Sequence, residues 1–143
     1  EWILNICIPD YELVTEISRS VLPAEVPMQH AVFNSCRTAM FIEALHSHDE
    51  ELMKLALQDK LHKPYRSKLV PGVDDIVANL RHEEDVLGCT LSGAGPAILV
   101  ISKKNKVDKI KSIVTETWEN YNFKTSFYSF NPELNGAEVI EVI

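Results

Sequence analysis

Two apolar runs, Val86 to Leu91 and Ala97 to Ile101, are separated only by Ser92-Gly93-Ala94-Gly95-Pro96. The second run is apolar at every position, which predicts a strand in the middle of a sheet. A hairpin between two such strands needs only two linking residues, so the five small ones here call for a separate explanation. The rest of the chain must be built around this strand–turn–strand unit. Residues 2–8 alternate loosely between apolar and polar and stop at Pro9, the pattern of another strand. Leu13, Ile17 and Val21 are spaced by four and predict a short helix from Tyr11 to Val21, with Pro23 beyond its end.

Pro27 fits the first turn of a long helix, Met28 to His46, because its missing N–H would be unpaired there. Val32, Phe33, Cys36, Ala39, Met40, Phe41, Ala44 and Leu45 predict a broad buried face on that helix. Asp49 is a suitable N-cap for a helix from Glu50 to about Gln58. Asp59 to Arg66 is expected to be a connection, since the residue before Pro64 disfavours the α region. Pro71-Gly72 precedes a helix running to about Arg81, and Lys106 to Tyr121 predicts a further one. Lys124 to Phe130 and Ala137 to Ile143 predict two more strands. This order implies an α+β fold, an antiparallel sheet with helices packed on one face. The 143 residues suit one domain over 1–143 and are too few for two full-sized ones.

Charge narrows the partners. Lys and Arg number 14 against 21 Asp and Glu, a formal charge of −7. That balance argues against nucleic acid, which requires a positive field, although a few placed arginines can still hold a small anion. Cys7, Cys36 and Cys89 are odd in number and far apart, and are expected to be reduced core thiols. No apolar run approaches the roughly 18–20 residues of a membrane span, and no signal peptide opens the chain. A cytoplasmic protein is expected, with its first residues reading as a strand met in mid-protein.

The turn at Ser92, Gly93, Ala94, Gly95 and Pro96 leaves the backbone bare and admits two readings. It is either a nest of amides for an anion or a tight connection with positive φ at both glycines. It is not a dinucleotide fingerprint, because it leads into a strand, nor a Walker loop, because no Gly-Lys-Ser/Thr follows. Arg19 falls four residues after Thr15, which puts both on one face of the short helix. Arg66 follows Lys63-Pro64-Tyr65, a stiff connection that fixes its direction. Two such guanidinium groups can hold one carboxylate or phosphate; taken singly, each reads first as a solvated surface charge. His62 lies close enough in sequence to line the same site. His46 and His48 are two apart, on different helix faces, so no metal site is expected. No serine has an identifiable His and Asp partner, and no catalytic residue is assigned.

Several of these segments together resemble the homoserine kinases. Thr15 to Pro23 is similar to their T-x-x-x-R-x-x-L-P segment, and Asp59 to Arg66 with Leu69-Val70-Pro71-Gly72 to their D-x-L-H-x-P-Y-R…L-x-P-G segment. Leu91 to Pro96 looks like the third motif of the wider galactokinase, homoserine, mevalonate and phosphomevalonate kinase superfamily. The resemblance runs from about residue 3 to 142 and implies a ferredoxin-like sheet with extra helices inserted between residues 27 and 82. It also implies ATP-dependent phosphorylation of L-homoserine. By this likeness Arg19 and Arg66 would bind the substrate carboxylate, with Thr15 near the reacting hydroxyl or phosphate and His62 beside them. Ser92, Gly93, Ala94 and Gly95 would support the phosphate loop.

Two departures stand out. Ala97 replaces the hydroxyl residue the family usually has after Gly-Pro, and the superfamily's nucleotide-cradling loop has no counterpart here. The resemblance therefore implies a C-terminal domain whose Mg-ATP is held mainly by an N-terminal domain, and no kinase activity from this chain alone. The implied partners are L-homoserine, ATP, the N-terminal domain and a second copy of the chain. Other readings stay open: a superfamily kinase acting on mevalonate or a sugar, an amino-acid-sensing module without catalysis, or an interaction domain whose glycine turn is only a turn.

Overall fold

The strand Trp2–Pro9, β1, lies inside a four-stranded antiparallel sheet in a computed structural model that describes residues 2–137 and 139. It is followed by α1 (Thr15–Ser20), α2 (Met28–Ser47), α3 (Glu50–Ala56) and the single turn α4 (Lys63–Arg66). Then come α5 (Val73–Leu80), β2 (Val86–Leu91), β3 (Ile98–Lys103), α6 (Val107–Glu119) and β4 (Thr125–Phe130). The strands are ordered β2-β3-β1-β4. With α1–α4 set aside, the succession β-α-β-β-α-β is ferredoxin-like, as expected. The extra helices run from Thr15 to Arg66 and not between 27 and 82, because α5 packs in the core as one of the two sheet-covering helices. The expected strand Ala137 to Ile143 lies largely outside the described residues.

Strand periodicity sets the core. Asn5 pairs with Val100 and Cys7 with Ile98, while Cys89 of β2 also faces Val100. These side chains share one face of the sheet, which α5 covers with Val73, Ile76 and Leu80, and α6 with Ile110, Val114 and Trp118. The Trp118 indole also donates to the Pro71 carbonyl at 3.1 Å, tying α6 to the start of α5. On the opposite face Leu87 and Ile101 meet Ala44 of α2 and Met53 of α3. Gly88 admits this packing, because a Cβ there would collide with Leu57. Helices therefore lie on both faces of the sheet, not one as expected. Burial from both sides is why the β3 run is continuously apolar.

A polar group fixes the register of this sheet. Asn5 is fully buried. Its Nδ2 donates to Ser102 Oγ at 3.0 Å and to the Val100 carbonyl at 3.2 Å, and its Oδ1 accepts from Ser129 Oγ at 2.6 Å. One side chain thus joins β1 to both neighbours. A one-residue slip would leave its polar atoms buried without partners.

The broad buried face expected of α2 is not found. Only Ala44 is fully buried, whereas Met28 is 78% exposed and Val32 53%. Apolar residues run around the whole helix, so packing one side onto α3 and the sheet leaves the other side open. Cys36 lies on that open side, a correction to its expected place in the core. Cys7 and Cys89 are buried as expected, and burial pushes both thiols up to about 12. Pro27 stands at the N-cap of α2, one place before the expected first turn. Asp49 caps α3 as expected, accepting from the Leu52 N–H at 2.9 Å.

Candidate functional site

The glycine turn closes on itself through Ser92 N–H to the Ala97 carbonyl at 2.8 Å and Gly95 N–H to the Ser92 carbonyl at 3.3 Å. Gly93 and Gly95 both take positive φ, +64° and +90°, which glycine alone adopts without strain. Two carbonyls of the turn point into the protein. Ser18 Oγ donates to the Ala94 carbonyl at 2.6 Å, and Arg66 Nη1 donates to the Gly93 carbonyl at 3.4 Å. In a trans peptide the C=O and N–H point opposite ways, so holding the Gly93 carbonyl inward turns the Ala94 N–H away from Arg66. A Cβ on Gly93 would meet nothing within 4 Å. The turn can thus offer an outward amide to an approaching anion.

Arg66 is the hub. Its Nε donates to the Ser18 carbonyl at 3.1 Å while Nη1 holds the turn, so one guanidinium links α1, α4 and the residues between β2 and β3. Its Nη2 makes no hydrogen bond among the described residues. Arg66 lines a cleft of about 180 Å³ together with Asp59, His62, Lys63, Thr90 and Gly93. A donor set of this kind, with an imidazole and a hydroxyl beside it, suits a small carboxylate or phosphate. A larger hollow of about 620 Å³, between α3, α5 and the β2 edge, shares Lys63 with this cleft but holds none of the expected site residues.

Asp59 builds the approach to α4. One carboxylate oxygen accepts from Asn34 Nδ2 at 2.5 Å and the Leu61 N–H at 2.8 Å; the other accepts from the N–H groups of His62 at 3.0 Å and Lys63 at 2.6 Å. Burial pushes this carboxyl up, but the Lys63, Asn34, Leu61 and His62 hydrogen bonds outweigh it and leave its pKa below the ordinary value. A carboxylate depressed in this way stabilises the fold at neutral pH and releases that contribution only as pH falls through its folded pKa. The segment expected to be a plain connection contains α4 for this reason: Asp59 satisfies N–H groups that the start of the turn leaves unpaired.

The expected site residues are only partly brought together. Arg66, His62 and Gly93 share the cleft. Thr15 and Arg19 lie on α1 and are exposed, with Arg19 adjoining the Ser18 carbonyl that Arg66 holds. Ser92 and Gly95 close the turn, and Ala94 is held by Ser18. Sequence reasoning missed Ser18 and Asp59. His62, not Asp59, stands at the N-cap of α4, so neither that aspartate nor a serine on a short helix carried a sequence signal.

The family described as GHMP kinases C terminal matches residues 41–120, from the later part of α2 through α6 and including the glycine turn. A homoserine kinase of Persephonella marina is 36% identical over 138 residues, 95% of this chain and 45% of the relative. One from Halothermothrix orenii is 38% identical over 122 residues, 85% of this chain and 39% of the relative. The crystal structure of homoserine kinase from Cytophaga hutchinsonii superposes with a TM-score of 0.86 at 26% identity, over 91% of this chain and 41% of that one. The chain thus spans less than half the length of these relatives. Its sheet order, its glycine turn and a match over more than half its residues agree, and the chain belongs to the GHMP kinase C-terminal family.

Proposed function

We propose that this chain is the acceptor-side domain of a homoserine kinase, whose whole enzyme moves the terminal phosphoryl group of ATP to the side-chain hydroxyl of L-homoserine. The observation that carries this reading is the likeness to homoserine kinases over 95% of the chain. The fixed guanidinium of Arg66 beside a small polar cleft agrees with it. Arg66 would hold the substrate carboxylate together with Arg19, and His62 would line the amino-acid site. Thr15, one turn before Arg19, would lie near the reacting hydroxyl. The Ala94 N–H, turned outward by the clasp on Gly93, would face the phosphates and support them from this side.

Mg-ATP supplies the transferred group and neutralises its charge when bound. The residues present fit only a supporting part. The turn offers an outward amide, and among the described residues no cluster of three or more His, Cys, Asp or Glu could hold a metal ion. Nucleotide and magnesium would therefore be held mainly by an N-terminal domain. Coupled ADP release tests the function. The full-length parent should turn over L-homoserine with Mg-ATP, and the 143-residue chain should not. Turnover of mevalonate or galactose instead would discard homoserine and keep the family.

The same N-terminal domain would cover the open side of α2, where Met28, Val32 and Cys36 face outward. Apolar side chains exposed side by side on one helix face mark a surface for contact with another part of a protein. Cys36 should react readily with iodoacetamide in the 143-residue chain, whereas Cys7 and Cys89 stay protonated and inert. In the parent its labelling should slow at least tenfold. Equal rates in both would leave this face uncovered by the N-terminal domain, and protection that depends on protein concentration would assign it to a homodimer. No helix among the described residues is long and apolar enough to cross a membrane, and the reading carries a cytoplasmic location.

A further inference from the structure

We propose that Asp59, clamped by Asn34, is a positioning residue that sets the direction of the Arg66 guanidinium without touching the substrate. The inference rests on the reading of Arg66 as the carboxylate anchor and goes beyond it, because it assigns the residues that make the anchor rigid.

Both oxygens of Asp59 are occupied by the protein. They accept from the Asn34 amide and from the N–H groups of Leu61, His62 and Lys63. A carboxylate with four donors has little capacity left for a ligand, although Asp59 borders the cleft. The clamp has a second half: Asn34 Oδ1 accepts from the Lys60 N–H at 2.9 Å. Asn34 and Asp59 together therefore hold the backbone at Lys60, Leu61, His62 and Lys63. The α4 turn begins within this held stretch and ends on Arg66.

Two further features stiffen the arrangement. The Phe33 ring, next to Asn34 in sequence, takes the Arg37 guanidinium at 4.1 Å and the Lys60 ammonium at 4.3 Å from its centroid. This pins Lys60 to α2 at the point where Asn34 also grips it. At the far end, Arg66 Nε and Nη1 are spent on the Ser18 and Gly93 carbonyls. The direction of Arg66 is thus set from both ends, by the clamp at the start of α4 and by two carbonyls at its tip. A guanidinium left to solvent would lose rotamer freedom on gripping a ligand; this one has already been ordered by folding.

The test is a double-mutant cycle in the full-length parent, with L-homoserine and Mg-ATP. Asp59→Asn keeps the shape of the side chain but loses its charge and turns an acceptor into a donor. It should raise the KM for L-homoserine about tenfold, with kcat and the KM for ATP changed less than twofold. In an Arg66→Ala background the same substitution should change the KM less than twofold, because Asp59 acts through Arg66. Additive effects would overturn the inference, since a general loosening of the fold adds to the loss of Arg66. An unchanged KM in Asp59→Asn, with Arg66→Ala defective, would overturn it too.

If Arg66→Ala leaves the KM for L-homoserine unchanged, the carboxylate reading fails and the positioning claim is decided on the 143-residue chain. There the Arg66 Nε–H, bonded to Ser18, should exchange with solvent at least tenfold faster in Asp59→Asn. An unchanged exchange rate would overturn the claim. Asn34→Ala removes one donor from the clamp and serves for the same readouts should Asp59→Asn fail to fold.

Discussion

Replacing Arg66 with alanine in the full-length parent is expected to raise the KM for L-homoserine by roughly ten- to a hundredfold, the worth of one charge-assisted hydrogen bond. The kcat should fall less, because the substrate carboxylate is as charged in the ground state as in the transition state, so its anchor binds both alike. Arg66→Lys should recover only part of the loss. A lysine carries a point charge and cannot span the Ser18 and Gly93 carbonyls with separate nitrogens in a fixed plane. Steady-state kinetics on both variants decide the matter. A kcat that collapses at constant KM would sink the anchor role and point to a part in the chemical step.

The largest loss of stability is expected at Trp118, where alanine should cost about 3–5 kcal/mol. The side chain is fully buried between α5 and the sheet, and its indole N–H is the partner of the Pro71 carbonyl. Removing it empties the largest of the fully buried side-chain positions and frees the start of α5. Trp118→Phe keeps most of the ring but not the N–H, and should cost about 1–3 kcal/mol through the carbonyl left unpaired. Urea unfolding of the two variants separates cavity from hydrogen bond. A loss below about 1 kcal/mol in Trp118→Ala would mean that the helix layer closes over the gap.

How much was legible differs from element to element. The β3 run is apolar at every place because both faces are covered, and its central position could be read from that pattern alone. The α5 and α6 stripes were equally readable, since each helix has one apolar side and meets one surface. On α2 the same reasoning failed. Its apolar residues run all round, so periodicity could not tell which of them the sheet would take. Cys36 went wrong for the same reason: its residue type suggested the core, but its side of the helix faces out.

Around the cleft, Arg66 and the turn glycines could be picked out by residue type, whereas Thr15 and Arg19 do not line it and the residues that hold Arg66 gave no signal. Arg66 stood out by its charge after a proline, and Gly93 and Gly95 by the spare length of the turn. Ser18 and Asp59 are ordinary residues in sequence, and they matter because of which backbone groups come to them. Four strands, the helices other than α4, the antiparallel sheet and the bare turn followed from the sequence alone, because side-chain periodicity and glycine or proline geometry are local properties. Only the tertiary structure decided that Arg66 would meet Ser18, 48 positions before it, and Gly93, 27 positions after it. The physical reason is that a backbone carbonyl accepts a hydrogen bond whatever side chain its residue carries, so such a contact leaves no mark in the sequence.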